Sequence, residues 1–118
     1  SPILEIDGTA PKVWKSQAVA PEHVPLLSEI LLQVVENPNG SGYTKTPALT
    51  RMLGKTGTAE LKKSLDDVDA EENGWFVAMN VDEPRLTIAM IIEDVKDRNG
   101  SHYVVPIVKT VMDELLAD

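Results

Sequence analysis

The sequence predicts an α+β domain, a small antiparallel sheet of about three strands packed by helices. Three observations carry this. Apolar residues recur at spacings of three and four from Val24 to Val35 and again from Val104 to Leu115, the signature of one buried helical face. Gly74 to Val81 and Leu86 to Val95 are short apolar runs of strand length. Only Asp82-Glu83-Pro84 and its neighbour separate them, and so short a turn forces the two strands to be antiparallel.

Taken in order, Ile3, Leu4 and Ile6 alternate before an Asp7-Gly8 turn, and Lys12 to Val19 reads as a short strand with Val13, Trp14 and Val19 apolar, so the pair forms a small hairpin. Pro21-Glu22 opens a helix, because proline's missing N–H has no intrahelical partner in a first turn. Val24, Leu27, Ile30, Leu31, Val34 and Val35 make its apolar stripe, and Asn37-Pro38-Asn39-Gly40 ends it. A loop rich in Gly, Ser and Thr follows, up to Pro47. Residues 50–61 read as a strand, and 62–73 as an acidic loop with Asp66, Asp67, Asp69, Glu71 and Glu72. In the next strand Trp75, Val77, Met79 and Val81 share one face, and Phe76 and Ala78 the other. The run from Leu86 to Val95 is nearly continuously apolar, as expected of a strand covered on both faces. Asp97-Arg98-Asn99-Gly100 turns the chain, and Ser101 is placed to cap the final helix. Val104, Val108, Val111 and Leu115 form that helix's stripe, widened by Val105, Met112 and Leu116.

Composition narrows the chemistry. With 118 residues the chain suits one domain or part of a larger one, and 42% apolar residues are enough for a core. The formal net charge of −8 repels phosphate backbones, so nucleic acid is not an expected partner. An anionic ligand must be held by a local basic feature against that field. There is no cysteine, which excludes disulfides, thiol catalysis and thiolate zinc sites. No apolar run reaches membrane-spanning length. Asp69, Glu71, Asn73 and Gly74 fit the first positions of a calcium loop, but Asn80 stands where a bidentate Glu is required, so no metal is expected. His23 and His102 are isolated and read as surface residues, and Asn39-Gly40-Ser41 and Asn99-Gly100-Ser101 read as turns.

Gly54-Lys55-Thr56-Gly57-Thr58-Ala59-Glu60 is the segment that carries chemistry. It joins a cation, two hydroxyls and glycines that let a ligand approach the backbone closely. A lysine and two hydroxyls together can hold a carboxylate. A polar edge strand with glycine at a bulge accounts for the same composition. A phosphate-binding loop does not, because Leu49 occupies the place of its first glycine and Thr50-Arg51-Met52-Leu53 offers no glycine-rich cradle.

Lys55-Thr56-Gly57 matches the K-T-G element of serine penicillin-recognising enzymes. Its surroundings agree: a polar loop, Gly74-Trp75-Phe76, the Pro84 turn, a long apolar strand and a C-terminal helix. Upstream, Pro2-Ile3-Leu4, Lys12-Val13-Trp14 and the Gln33-Val34-Val35 helix fit as well. Over residues 1–118 the chain resembles the C-terminal part of the transpeptidase domain of class B penicillin-binding proteins, with the low-affinity, methicillin-resistance type of Gram-positive bacteria nearest. The resemblance implies the C-terminal portion of a penicillin-binding or serine β-lactamase-like fold. The family's S-x-x-K and S-x-N motifs are absent: none of Ser1, Ser16, Ser28, Ser41, Ser64 and Ser101 has lysine three residues later or asparagine two later. The nucleophile-bearing part of the domain is thus missing, and the 118-residue chain alone is expected to be inert.

What the resemblance implies for the motif is specific. Lys55 supports proton transfer between the missing serines and attracts the substrate carboxylate. Thr56 and Thr58 donate hydroxyl hydrogen bonds to that carboxylate, and the Thr58 backbone N–H is one half of the oxyanion hole. Gly57 keeps the strand surface clear, so that substrate lies alongside as an added strand. The implied parent is a peptidoglycan D,D-transpeptidase, acylated by β-lactams, needing no cofactor. It is expected to be extracytoplasmic and held to the membrane of a Gram-positive bacterium by an N-terminal anchor outside this chain. A β-lactam sensor and a non-catalytic scaffold of the same fold are the alternatives, with a β-lactamase behind them. In the resembled fold the strand matching 86–95 is paired on both sides, with one partner drawn from the start of the domain. The isolated chain is therefore expected to self-associate through the 86–95 edge.

Overall fold

A computed structural model describes residues 8–10, 12–13, 15–83 and 86–117. It holds two helices, α1 (Val24–Glu36) and α2 (Ser101–Leu116), and three strands, β1 (Met52–Glu60), β2 (Glu72–Asn80) and β3 (Thr87–Ile92). Short 3-10 turns at Pro21–His23 and Lys96–Arg98 lead into α1 and towards α2. The strands form one antiparallel sheet in the order β1-β2-β3. This is the predicted α+β arrangement.

Register fixes which residues share a face. Thr56 lies opposite Phe76, and Phe76 opposite Met90; Gly54 lies opposite Ala78, and Ala78 opposite Ile88. Strand alternation puts Met52, Gly54 and Thr56 on the same side as Phe76 and Ala78. That side is the buried one. Val35 from α1 and Val104, Val105, Val108 and Met112 from α2 close over Met52, Phe76 and Ala78 to make the core. One face of α2 seats on the sheet through Val104, Val105, Val108 and Met112; of the predicted stripe, Val111 is only half-buried and Leu115 is exposed, because the buried face runs through Met112 instead.

Close packing dictates where glycine stands. A Cβ at Gly54 would lie 2.7 and 2.8 Å from Phe76 ring carbons and 2.9 Å from Val35 Cγ2. Phe76 is fully buried and cannot swing away. Gly54→Ala is therefore expected to destabilise the fold by about 1–3 kcal/mol through overpacking, read as a lower denaturation midpoint. Gly57→Ala is the control, since its Cβ would meet only Trp75 Cβ at an ordinary 3.7 Å and should leave the midpoint unchanged. Gly74 admits the start of α2: a Cβ there would come within 3.1 Å of Ser101 Cα.

Polar groups fasten the ends. Asn80 is buried, donating to the Asp82 carbonyl and accepting from Leu86 N–H, which organises the β2–β3 connection. Asp113 on α2 accepts the Leu49 and Thr50 N–H groups, both at 2.9 Å. Burial pushes the Asp113 carboxyl up, but these donors and the Thr50 hydroxyl outweigh it, and its pKa sits below the ordinary aspartate value. Arg51 and Glu36 form a two-point ion pair at 2.8 and 3.2 Å between the end of α1 and the start of β1. Both side chains are exposed, so the pair orients more than it stabilises.

Four expectations change. The hairpin at the chain start rested on Ile3, Leu4, Ile6 and Trp14, which lie outside the described residues. The described residues between Lys12 and Val19 form turns rather than a strand, with Gln17 at a left-handed φ of 51° that breaks extension. Ser101 is the first residue of α2 and makes no side-chain cap bond; Gly100, at φ 60°, takes the position before it. On α1 only Val35 is buried, while Val24, Leu27 and Ile30 are exposed, because the described elements cover only the C-terminal end of its stripe. The strand predicted for Leu86–Val95 stops at Ile92 and alternates in burial, with Thr87, Ala89 and Ile91 open. Asp94, at φ 56°, ends it.

Candidate functional site

The Lys-Thr-Gly segment occupies the middle of β1, whose only strand partner among the described residues is β2. Its other edge pairs with no strand among the described residues. Because side chains alternate, Lys55 and Gly57 lie on the open face of the sheet, and Thr56 and Thr58 on the opposite side. The cation and the hydroxyls that the sequence offers as a joint carboxylate cradle thus stand on two faces of one strand. A single ligand meets both sets only by lying along the free edge of β1, parallel to the backbone. That is the placement of an added strand.

Each residue has a defined setting. Lys55 is exposed, makes no ion pair among the described residues, and donates from Nζ to the Thr56 carbonyl at 2.7 Å. Leu31, Leu53, Val77 and Met79 line a small apolar cleft of about 120 Å3 beside its stem. Thr56 is buried at 8% exposure, and its Oγ1 donates to Ser41 Oγ at 2.6 Å. Gly57 sits over Trp75, with room for close approach. Thr58 is exposed and pairs in register with Gly74. Its Oγ1 would be 3.9 Å from a Cβ on Gly100, so the start of α2 borders this end of the strand.

Ser41 joins the site without a sequence motif that marks it. Fifteen positions separate it from Thr56, and no local pattern links them. Its only signal is its place between Gly40 and Gly42, in a stretch that reads as a turn.

A larger cavity, about 380 Å3, lies by the loop before β1 and the middle of α2, away from Lys55 and Thr58. Thr44, Lys109 and Asp113 are among its walls. Lys109 is 6% exposed and donates to Thr44 Oγ1 at 2.8 Å, and its burial lowers the ammonium pKa. Together with Asp113 it fastens the loop to α2. Among the described residues no group of three or more His, Asp or Glu converges as a metal site would require.

A family model described as the penicillin binding protein transpeptidase domain matches residues 3–113. Penicillin-binding protein 3 of Bacillus subtilis (strain 168) is 44% identical over 103 residues, which cover 87% of this chain and 15% of that protein. The chain thus spans about a seventh of the length of this curated relative.

Proposed function

The chain belongs to the penicillin-binding protein transpeptidase domain family, and from this we propose that its full-length protein is a class B, serine-type D,D-transpeptidase of the methicillin-resistance-like type. It cross-links peptidoglycan stem peptides, and β-lactams acylate the same serine. The observation that carries this reading is the edge placement of Lys55, Thr56, Gly57 and Thr58: one strand edge, unpaired among the described residues, flanked by a cation on one face and hydroxyls on the other.

The chemistry follows from that edge. The stem peptide, or a β-lactam, lies along β1, with its backbone beside Gly57. A serine supplied by another part of the protein attacks the scissile carbonyl carbon; its proton passes to the leaving nitrogen as the C–N bond breaks. Lys55 assists that proton transfer. The Thr58 N–H donates to the oxygen that becomes negative in the tetrahedral intermediate. The hydroxyls of Thr56 and Thr58 hold the substrate carboxylate, which the overall charge of −8 would otherwise repel. An amine from a second stem peptide then releases the acyl group, and no cofactor takes part.

No helix among the described residues is long and apolar enough to cross a membrane. The substrate lies in the cell wall, so the proposed protein works outside the cytoplasm of a Gram-positive bacterium, anchored by a segment N-terminal to this one. Covalent labelling of the full-length protein by a penicillin tests the reading.

A further inference from the structure

We propose that Ser41 is a positioning residue for Thr56, presenting the Thr56 hydroxyl to the carboxylate of the substrate; this rests on the transpeptidase reading of the same strand.

The geometry starts from the burial of Thr56. Its side chain is on the packed side of β1, with Phe76 opposite in register and Gly54 and Met52 further along. A threonine hydroxyl buried there needs a partner. Ser41 is that partner, with the two oxygens 2.6 Å apart. Ser41 itself is held by a loop with little freedom. Gly40 N–H donates to the Asn37 carbonyl at 2.7 Å, Gly42 N–H to the Val34 carbonyl at 2.9 Å, and Tyr43 N–H to the Gly40 carbonyl at 3.1 Å. The loop folds back so tightly on α1 that a Cβ at Gly40 would sit 2.2 Å from the Val34 carbonyl oxygen. Gly42 is buried, with the Phe76 ring 3.3 Å from where its Cβ would be. The loop is thus clamped between α1 and the sheet, and Ser41 comes to Thr56 from a fixed point.

Each hydroxyl of the pair has one proton and two lone pairs. With the site empty, Thr56 donates to Ser41. When a carboxylate lies along β1, the order reverses: Ser41 donates to Thr56, and the freed Thr56 proton turns to the anion. The chain Ser41–Thr56–carboxylate is then polarised in one direction, and each bond strengthens the next. Without Ser41 the Thr56 hydroxyl loses its fixed rotamer and the donor that feeds it.

The experiment compares second-order acylation of the full-length protein by a penicillin and by its methyl ester. Their rate ratio reports recognition of the carboxylate. Ser41→Ala should lower that ratio about ten-fold, the scale of one hydrogen bond to a charged group. Ser41→Thr, which restores the hydroxyl, should return it to near the wild-type value. In a Thr56→Val background Ser41→Ala should change nothing further, because the route through Thr56 is already cut. If Ser41→Ala does not fold, Ser41→Cys keeps the volume with a weaker donor and should show the same loss. An unchanged ratio in Ser41→Ala, beside a lowered ratio in Thr56→Val, overturns the role of Ser41 and leaves the site reading standing. Equal slowing of acid and ester also overturns it, since that is a purely structural effect. An unchanged ratio in Thr56→Val removes the site reading and this inference together.

Discussion

Replacing Lys55 by alanine in the full-length protein is expected to slow β-lactam acylation by about 10²–10⁴-fold, the range of a positioned proton-transfer group. The fold should survive. Lys55 is exposed on the open face of the sheet, and among the described residues its side chain bonds the neighbouring Thr56 carbonyl. A surface change of this kind stays within about 0.5 kcal/mol of wild-type stability. Measuring the acylation rate and the denaturation midpoint on the same sample separates the two effects. Thr58→Ala is the graded companion, because it removes a hydroxyl but keeps the backbone N–H, and so should cost less than Lys55→Ala. Acylation of the Lys55→Ala protein at the normal rate would remove Lys55 from the site.

The isolated 118-residue chain is expected to self-associate through β3. This strand pairs with β2 alone among the described residues, so its outer edge presents unpaired N–H and C=O groups. Thr87-Ile88-Ala89-Met90-Ile91-Ile92 contains no charge and no proline, the usual protections of an edge. Beside that edge Trp75, Val77 and Ile91 are each about 40% exposed on the open face. A second copy pairing edge to edge would satisfy the backbone and cover part of this apolar surface. Light scattering and sedimentation should show a dimer or larger species, and Ile91→Lys, which puts a charge on the exposed face at the edge, should shift it towards monomer. A stable wild-type monomer at high concentration, with the outward amides of 86–95 exchanging freely, would sink the idea.

These two expectations rest on features of unequal legibility. The three strands, their antiparallel order and the α2 stripe were readable because periods of two and of three-to-four appear directly in the residues. Spacing puts Val104, Val105, Val108 and Met112 on a core face, and they are buried; it puts Leu115 there too, and Leu115 is exposed. The same logic over-reached on α1. Spacing shows that Val24, Leu27 and Ile30 share a face; it does not show what covers that face, and within the described residues it stays about half exposed. The apolar run of β3 promised cover on both sides, and among the described residues only the side facing α2 has it. The Lys-Thr-Gly segment was legible as a motif, and so was its place on a strand. Its division between two faces followed only when the register with β2 was known. The contacts that fasten the site were silent in the sequence. Ser41 reaches Thr56 across fifteen residues, and Asp113 reaches the N–H groups of Leu49 and Thr50 across more than sixty. Such long-range polar pairs have no period and no local composition to announce them.

The central claim is that β1 supplies half of an acyl-transfer site whose nucleophile lies elsewhere in the protein. Intact-mass spectrometry after incubation with a labelled penicillin tests it most directly. The full-length protein should gain the mass of one acyl group, on a serine outside these 118 residues, and the 118-residue chain should gain none. An adduct on any of its own six serines, or no adduct on the full-length protein, would contradict the account.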